Sequence, residues 1–461
     1  MAAIVTEHFR RNNALSFLND IKDTQNNNYY LGIGKSDKWA TNETSLTLDI
    51  PFPTGTYADE VDILSNLISC VKINQSNTTL VIPNVQFNIG SKYKVYSPYD
   101  LDCFYPTSSV NGTTNPCYAS LDDKIYLCLA NNGGGVTSVA PTSTDYRAIK
   151  NSDGYVWILV DASSKLFSTN QFIGVASGTA EVSLINNIKN DGGGLLYGFS
   201  VKNGGTGYTG VTSATFTATQ EENPDLIEFT CDVTVVDGVI TAVSLPSDYD
   251  YTDTNSKKIL GGTFTIGTGS GAVIVPHIAP PFGFAYEPSR TLPAWYAGVA
   301  VNAVDSISGD GFYIPYRQIS IIKNLEYNAE LISSENSVDT LGALRYLVIS
   351  SAPAVTTQVG DIISFGSSIT KAYFDTYAAV DVNGDTEHRI YFHQNSMTGF
   401  GNIPSSGTFT NTTSPSTAIG YSSVQEGEYI QQSGDVVFTE NRRPISRQSG
   451  QTEEIKIIIQ F

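Results

Sequence analysis

Ile455, Ile457, Ile459 and Phe461 alternate with Lys456 and Gln460. This is the period-two pattern of a strand with one buried face. A strand at the end of a chain frays unless a sheet takes it up, so the fold must be one whose sheet accepts this segment. Just upstream, Arg442-Arg443-Pro444 places two adjacent cations in an acidic chain. A clamped strand beside an isolated basic segment points to a part of an assembly, with its few cations placed for contact.

The rest of the composition agrees with a β-rich fold. Only 15% of the 461 residues are charged, against about a quarter in an ordinary soluble domain. Ser, Thr, Asn, Gly and Tyr replace them, with 26 Tyr against 2 Met. Long surface helices need Glu, Lys and Ala, so strands and turns are favoured. The net charge of −19 argues against non-specific binding to nucleic acid or to anionic lipid. The first residues carry neither the charged nor the apolar region of a signal peptide, and no run of 18 apolar residues exists, so no membrane insertion is expected. The five cysteines, Cys70, Cys103, Cys117, Cys128 and Cys231, show no CxxC spacing and are expected as reduced thiols. Cys103 and Cys117 flank a Pro and Asn-Gly loop in which a disulfide is the alternative.

The expected fold class is mainly β, a β-sandwich core with a few helices in loops and an inserted small all-β domain. Residues 1–175 read as the N-terminal part of the core. A first strand from Ala3 leads into a helix with Ala14, Phe17, Leu18 and Ile21 on one face. Tyr29–Ile33 reads as a strand, and Asp59–Val71 as a second helix capped by Asp59. Lys124–Leu129 and Gly154–Val160 read as strands. Residues 176–282 read as the Gly/Thr-rich insert with a two-fold internal repeat. Gly198-Phe-Ser-Val-Lys-Asn-Gly-Gly-Thr-Gly-Tyr208 followed by Ala214–Thr217 parallels Ala242-Val-Ser-Leu-Pro-Ser-Asp-Tyr249 followed by Gly262–Thr265. Asp237-Gly238 marks a hairpin inside it. Residues 283–330 return core strands, including Tyr316–Ile322. Residues 331–433 form a β-rich insertion with a hairpin at Asn383-Gly384 and a loop over Asn411–Ser416, and 434–461 supply the closing strand.

The chemical motifs are incomplete. Gly32-Ile-Gly-Lys-Ser36 resembles the end of a phosphate loop, but Tyr29 stands where its first glycine is needed, so a strand and turn are expected. Asp381, Asn383 and Asp385 begin like a calcium loop, with the glycine misplaced at Gly384 and Phe392 in the bidentate position. Asp248, Asp250 and Asp253 lack the glycine altogether. His388 and His393, five apart in a β-like stretch, would face opposite sides. No HExxH or GxSxG is present. No catalytic residue, metal site or cofactor is expected, and the chain is read as not an enzyme.

Several stretches in order carry a resemblance. They are Ala3–Arg10, Tyr30–Trp39, Asn42-Glu43, Val81–Pro83, Tyr126–Gly134, Asp153–Trp157, Arg317–Asn324, Glu440–Ile445 and Gln451–Ile455. Together they are similar to the baseplate wedge subunit encoded by gene eight in the contractile-tailed phages. The resemblance spans about residues 3–175, 283–325 and 434–461, leaving most of 176–282 and 331–433 outside it. It implies a structural protein of the virion tail baseplate, assembled in the host cytoplasm and working as a homodimer among other wedge proteins. It also implies a part in relaying host contact to sheath contraction. Interfaces of such assemblies are anchored by aromatic and Arg side chains. Trp39, Trp157, Trp295, Arg442 and Arg443 are the candidates, with Arg442 favoured over Arg443. The alternative reading is a receptor- or glycan-binding tail protein, drawn from the Tyr- and Gly-rich insert.

Overall fold

The computed structural model describes residues 4–39, 50–109, 112–163, 165–221, 226–303, 314–332, 339–353, 357–366, 369–414, 417–446 and 453–461. Ala3, Asn42-Glu43, the end of the Asn411–Ser416 loop and Gln451-Thr452 lie outside them. The fold is mainly β with few helices. The chain divides into two compact units. One comprises residues 1–17, 79–298 and 458–461; the other comprises 18–78 and 299–457.

The first helix is Glu7–Lys22. Among the described residues no strand precedes it: residues 4–6 are irregular, and Ile4 and Val5 are exposed. The Thr6 hydroxyl accepts from the Phe9 amide, so the residues expected to open a core strand instead start a helix. Ala14, Leu18 and Ile21 are buried as the helical spacing requires.

In the unit that contains residues 79–298, a four-stranded sheet runs Tyr118–Leu121, Lys124–Asn131, Tyr155–Asp161, Ala148–Lys150. Its first two strands turn at Asp122-Asp123, both at positive φ, the backbone of a tight hairpin. One face packs Tyr93, Tyr126, Tyr155 and Trp157 into an aromatic core. The Gly/Thr-rich stretch, expected to be all-β, contains an α-helix, Val182–Gly192, and a short 3-10 turn at Thr254–Ser256. A four-stranded sheet follows, ordered Val239–Ser244, Ile227–Val236, Ser213–Gln220, Ile259–Ile266, with a two-stranded ribbon of Leu196–Thr206 and Ser270–Ile278. Phe216 lies opposite Phe264, with Thr215 opposite Thr265 and Thr217 opposite Thr263. The matching segments of the two sequence halves therefore pair with each other, antiparallel, about one Phe–Phe pair. Asp237 (φ 52°) and Gly238 (φ 75°) make the hairpin turn.

In the other unit, a five-stranded sheet is ordered Thr340–Gly342, Leu67–Ile73, Tyr29–Gly34, Tyr316–Lys323, Asp435–Ile445. The second helix, Tyr57–Ser65, is shorter than expected. Leu67, Ile68 and Val71 belong to a strand, where Cys70 sits opposite Gly32. The run from Val61 to Ile73 fits either period; Asn66 ends the helix and the β-branched residues beyond it pair in the sheet. The cap is Thr56, whose hydroxyl accepts from the Asp59 amide. Asp59 instead reaches back to the Thr54 amide, at 2.8 Å.

Six strands of this unit close into a barrel in the order Arg345–Ile349, Asp385–His393, Lys371–Val382, Ile362–Phe365, Gly407–Asn411, Ile419–Gln425. The Asn383-Gly384 turn has φ of 57° and 92°, as a two-residue hairpin demands. Asn411, expected in a loop, ends a barrel strand and is 2% exposed. The C-terminal strand is Glu453–Gln460, with Ile455 and Ile457 buried.

Candidate interaction surface and the charge network beneath it

Among the described residues, the strand Asp435–Ile445 is the edge of its sheet. Along it Ile445 lies opposite Tyr316 and Asn441 opposite Gln318. Four steps on the edge strand therefore match two on its neighbour, and Arg442-Arg443-Pro444 bulges out opposite Arg317. Proline belongs on an edge or a bulge, because it cannot donate to a ladder. Edge strands invite stray pairing unless they are blunted, and this one is covered in places. The Val436 amide donates to Glu60 Oε1 at 3.0 Å, and the Arg442 carbonyl accepts from Trp39 Nε1 at 2.9 Å.

The structure thus brings two of the five anchor candidates together. Trp39 is half-buried, and Arg442 donates from Nη2 to Glu440 Oε2 at 2.9 Å. Among the described residues, the carboxylate that meets Arg442 comes from its own strand. Arg443 and Pro444 are exposed. Asn441 Nδ2 donates to the Pro51 carbonyl at 2.8 Å, and the adjacent Phe52 is 92% exposed. Arg443, Pro444 and Phe52 give this edge the aromatic and Arg chemistry of an interface core.

The other two candidates lie elsewhere. Trp157 is 1% exposed, set edge-on to Tyr93 and stacked with Tyr155. Packed on all sides, it offers no surface to a partner and works as core. Trp295 is 5% exposed, and its carbonyl accepts from the Phe461 amide at 3.2 Å.

Beneath Trp39 lies a group of buried charges. Lys35 Nζ sits 5.2 Å from the centre of the Trp39 ring and pairs with Asp37. Lys35 has φ of 65°, a left-handed turn that brings the side chains of Lys35 and Asp37 together. His393 stands between two carboxylates. Its Nδ1 is 2.9 Å from Asp375, and its Nε2 is 3.3 Å from Asp37 Oδ1. The Ser36 hydroxyl donates to Asp375, and Arg317 donates to the Ser36 carbonyl. None of these side chains is on the surface: Asp375 is 0%, Asp37 2%, His393 3% and Arg317 4% exposed.

Asp375 reaches this group because of a bulge. Phe374 lies opposite Phe392 and Thr376 opposite Tyr391, so Asp375 is an extra residue on its strand, and such bulges re-aim side chains. Burial alone would push the His393 imidazole down, but the two carboxylates outweigh it and raise its pKa to about 9. Burial likewise would raise Asp37, but His393 and Lys35 hold it below the usual carboxylate range. Imidazolium between carboxylates is an ion-pair staple. A metal ligand must be a neutral imidazole, and among the described residues no group of three or more His, Cys, Asp or Glu side chains is placed to hold a metal ion.

The remaining motifs resolve as local structure. Gly32–Gly34 ends a strand whose Cβ-free positions let Leu67 and Asn66 approach closely. The Asp381 carboxylate accepts from the Gly384 amide at 2.8 Å inside a hairpin turn. Asp250 and Asp253 accept from the Thr252 and Asn255 amides. His388 meets the Tyr377 hydroxyl at 2.7 Å and does not share a site with His393. The five cysteines are free thiols, so no disulfide joins Cys103 and Cys117, although the Cys117 amide donates to the Cys103 carbonyl at 2.8 Å. The charge network escaped sequence reading, because Ser36 and Asp375 are 339 residues apart and no local spacing connects them.

Fold and surface together define a mainly β protein with a buried charge network and, among the described residues, a bulged edge that carries Arg442 and Arg443. Residues 3–102 match the family model described as Bacteriophage T4, Gp8. Among curated proteins, baseplate wedge protein gp8 of Enterobacteria phage T4 is 32% identical over 82 residues, which cover 18% of this chain and 25% of that protein. The match thus spans about a quarter of the length of that relative. These findings support the gene-eight baseplate wedge family through the N-terminal part of the chain. The matched segment includes Lys35, Ser36, Asp37 and Trp39; Asp375, His393 and Arg442 lie outside it.

Proposed function

We propose that this chain is a structural subunit of a phage tail baseplate wedge, located in the virion and not an enzyme. The observation that carries the reading is the N-terminal match to the Gp8 family and to a curated baseplate wedge protein. The subunit acts in baseplate assembly as a homodimer, in contact with other wedge proteins, and passes host-contact changes toward sheath contraction. The bulged edge at Arg442-Arg443-Pro444, with exposed Phe52 beside it, supplies the first contact surface. The stretches 176–282 and 331–433 set which neighbours the subunit meets. On this reading the buried ion pairs around His393 fix one geometry of the unit that holds them, which suits a part that must hold its shape under load.

The test is the mass of the purified chain in solution, with and without Arg442→Ala and Arg443→Ala. A dimer is expected, weakened by about 2 kcal/mol, roughly thirty-fold, when an anchor of this kind is removed. A trimer, or a dimer indifferent to both substitutions, would overturn the assignment of this surface. Labelled antibody against the chain should decorate the baseplate end of virions.

A further inference from the structure

The six-stranded barrel holds a pocket of about 460 Å³ that the wedge reading does not use. Its floor is Phe374, Ile390 and Phe409, all buried residues of the barrel core. Its walls include Thr376, Tyr377 and Ile419. Mouths of β-barrels are common ligand sites, and this volume lies within the usual range of about 300–1,000 Å³.

The walls are braced. The Tyr377 hydroxyl is held by His388 at 2.7 Å, with the two rings stacked. Thr357, Gln358 and Val359 form the rim. That rim is pinned because Asp361 accepts from the Gln358 amide at 2.9 Å and from Asn411 Nδ2 at 2.8 Å. The Gly360 amide also donates to the Phe374 carbonyl at 2.8 Å. The bulge that sends Asp375 to His393 sets Phe374 opposite Phe392 and Tyr377 opposite Ile390, both residues of the barrel core, so the one acidic residue of this stretch points away from the pocket.

We infer that the barrel pocket binds a small neutral organic ligand with an apolar body and one or two hydrogen-bonding groups. Among the described lining residues none carries a charge. A charged ligand would therefore lose its hydration with no counter-charge to replace it. Phe374, Phe409 and Tyr377 offer ring faces to the apolar body. Thr357, Gln358 and Thr376 offer neutral donors and acceptors to its polar groups.

The full-length chain is titrated with N-phenyl-1-naphthylamine, a neutral fluorescent probe, and in parallel with anionic anilinonaphthalene sulfonate. One saturable site is expected for the neutral probe, with the anion at least ~10-fold weaker because of its desolvation. Hydrogen exchange with the neutral probe bound should slow at Thr357–Val359 and Phe374–Tyr377. Ile419→Trp, which fills the pocket from its wall, should abolish the site. If that variant does not fold, Thr376→Trp is read in the same way. Absence of saturable binding, equal binding of the anion, exchange protection elsewhere, or full affinity in a folded pocket-filling variant would each overturn the proposal.

Discussion

Raising the pH from 6.5 to 9 should remove a defined part of the stability of the unit that contains His393. The imidazole titrates near 6.5 when free and near 9 in place, because Asp375 and Asp37 flank it. A group whose folded pKa is raised contributes stability that is fully present below its unfolded value. That contribution is lost as pH rises through the folded value. Each pKa unit corresponds to about 1.4 kcal/mol, so the loss across this window is on the order of 3 kcal/mol. Asp37 works in the opposite direction: its pKa is depressed, so its contribution is present above the unfolded carboxylate value and is lost in acid. Both are intact only near pH 5–6.5, which is where this unit should be most stable. The assay is urea unfolding read by peptide-resolved hydrogen exchange over the strands that carry Asp375 and His393, since the chain has two units and a single bulk midpoint would mix them. His393→Gln should lower stability at pH 6 and flatten the slope between pH 6.5 and 9. A wild-type slope near zero, an unchanged slope in the variant, or an NMR titration of this imidazole near 6.5 would refute the reasoning.

Two further outcomes follow from packing and backbone. Trp157→Ala should destabilise its own unit by about 3–5 kcal/mol, the usual cost of emptying a large aromatic site, while the oligomeric mass of whatever folds stays unchanged; a weakened dimer at full stability would instead make Trp157 an anchor. Gly384→Ala puts a side chain at φ 92° and should cost about 1–2 kcal/mol, seen as a lower urea midpoint for the barrel strands with no change in the distant sheets.

Much of the strand pattern was legible because period and turn chemistry agree locally. Tyr29–Ile33, Lys124–Leu129 and Tyr316–Ile322 lie in observed strands, and the Ile455–Phe461 alternation does so as far as Gln460. Asp237-Gly238 and Asn383-Gly384 are both turns at positive φ, a requirement that two residues suffice to announce. The failures have equally local causes. Leu67, Ile68 and Val71 continue the apolar face of a helix on paper, and only pairing with Tyr29–Gly34 decides for a strand. Residues 4–6 look strand-like until Thr6 caps a helix. The charge network was out of reach for another reason. Lys35, Ser36 and Asp37 lie in the Tyr30–Trp39 stretch that carries the resemblance, and Gly32–Ser36 also resembles the end of a phosphate loop, but their partners Arg317, Asp375 and His393 come from strands hundreds of residues away. Trp39 and Arg442 could be named as anchors from residue type, but their contact with each other depends on a bulge, and bulges leave little trace in sequence.

That contact makes Arg442 an informative position to perturb. Trp39 is bound through the Arg442 carbonyl and not through the guanidinium. Arg442→Ala therefore deletes the cation and its pairing with Glu440 while leaving the backbone bond to Trp39 available. The Trp39 ring, with Lys35 5.2 Å from its centre, stays over the Lys35–Asp37 pair, so the staple beneath is not disturbed. An in-chain pair as exposed as Arg442–Glu440, with side chains 37% and 43% accessible, is worth little to the fold, since surface pairs contribute about 0–1 kcal/mol. Among the described residues Glu440 is the carboxylate that the Arg442 guanidinium meets, so a larger effect of the substitution on assembly points to a contact beyond this pair. The buried charges next to it carry the opposite logic: removing one partner of a buried pair costs about 3–5 kcal/mol, so Asp375 or His393 substitutions report on the fold. The two sets of residues sit within one connected run, Arg442 to Trp39 to Lys35 to Asp37 to His393, and the division between them falls at the Trp39 indole.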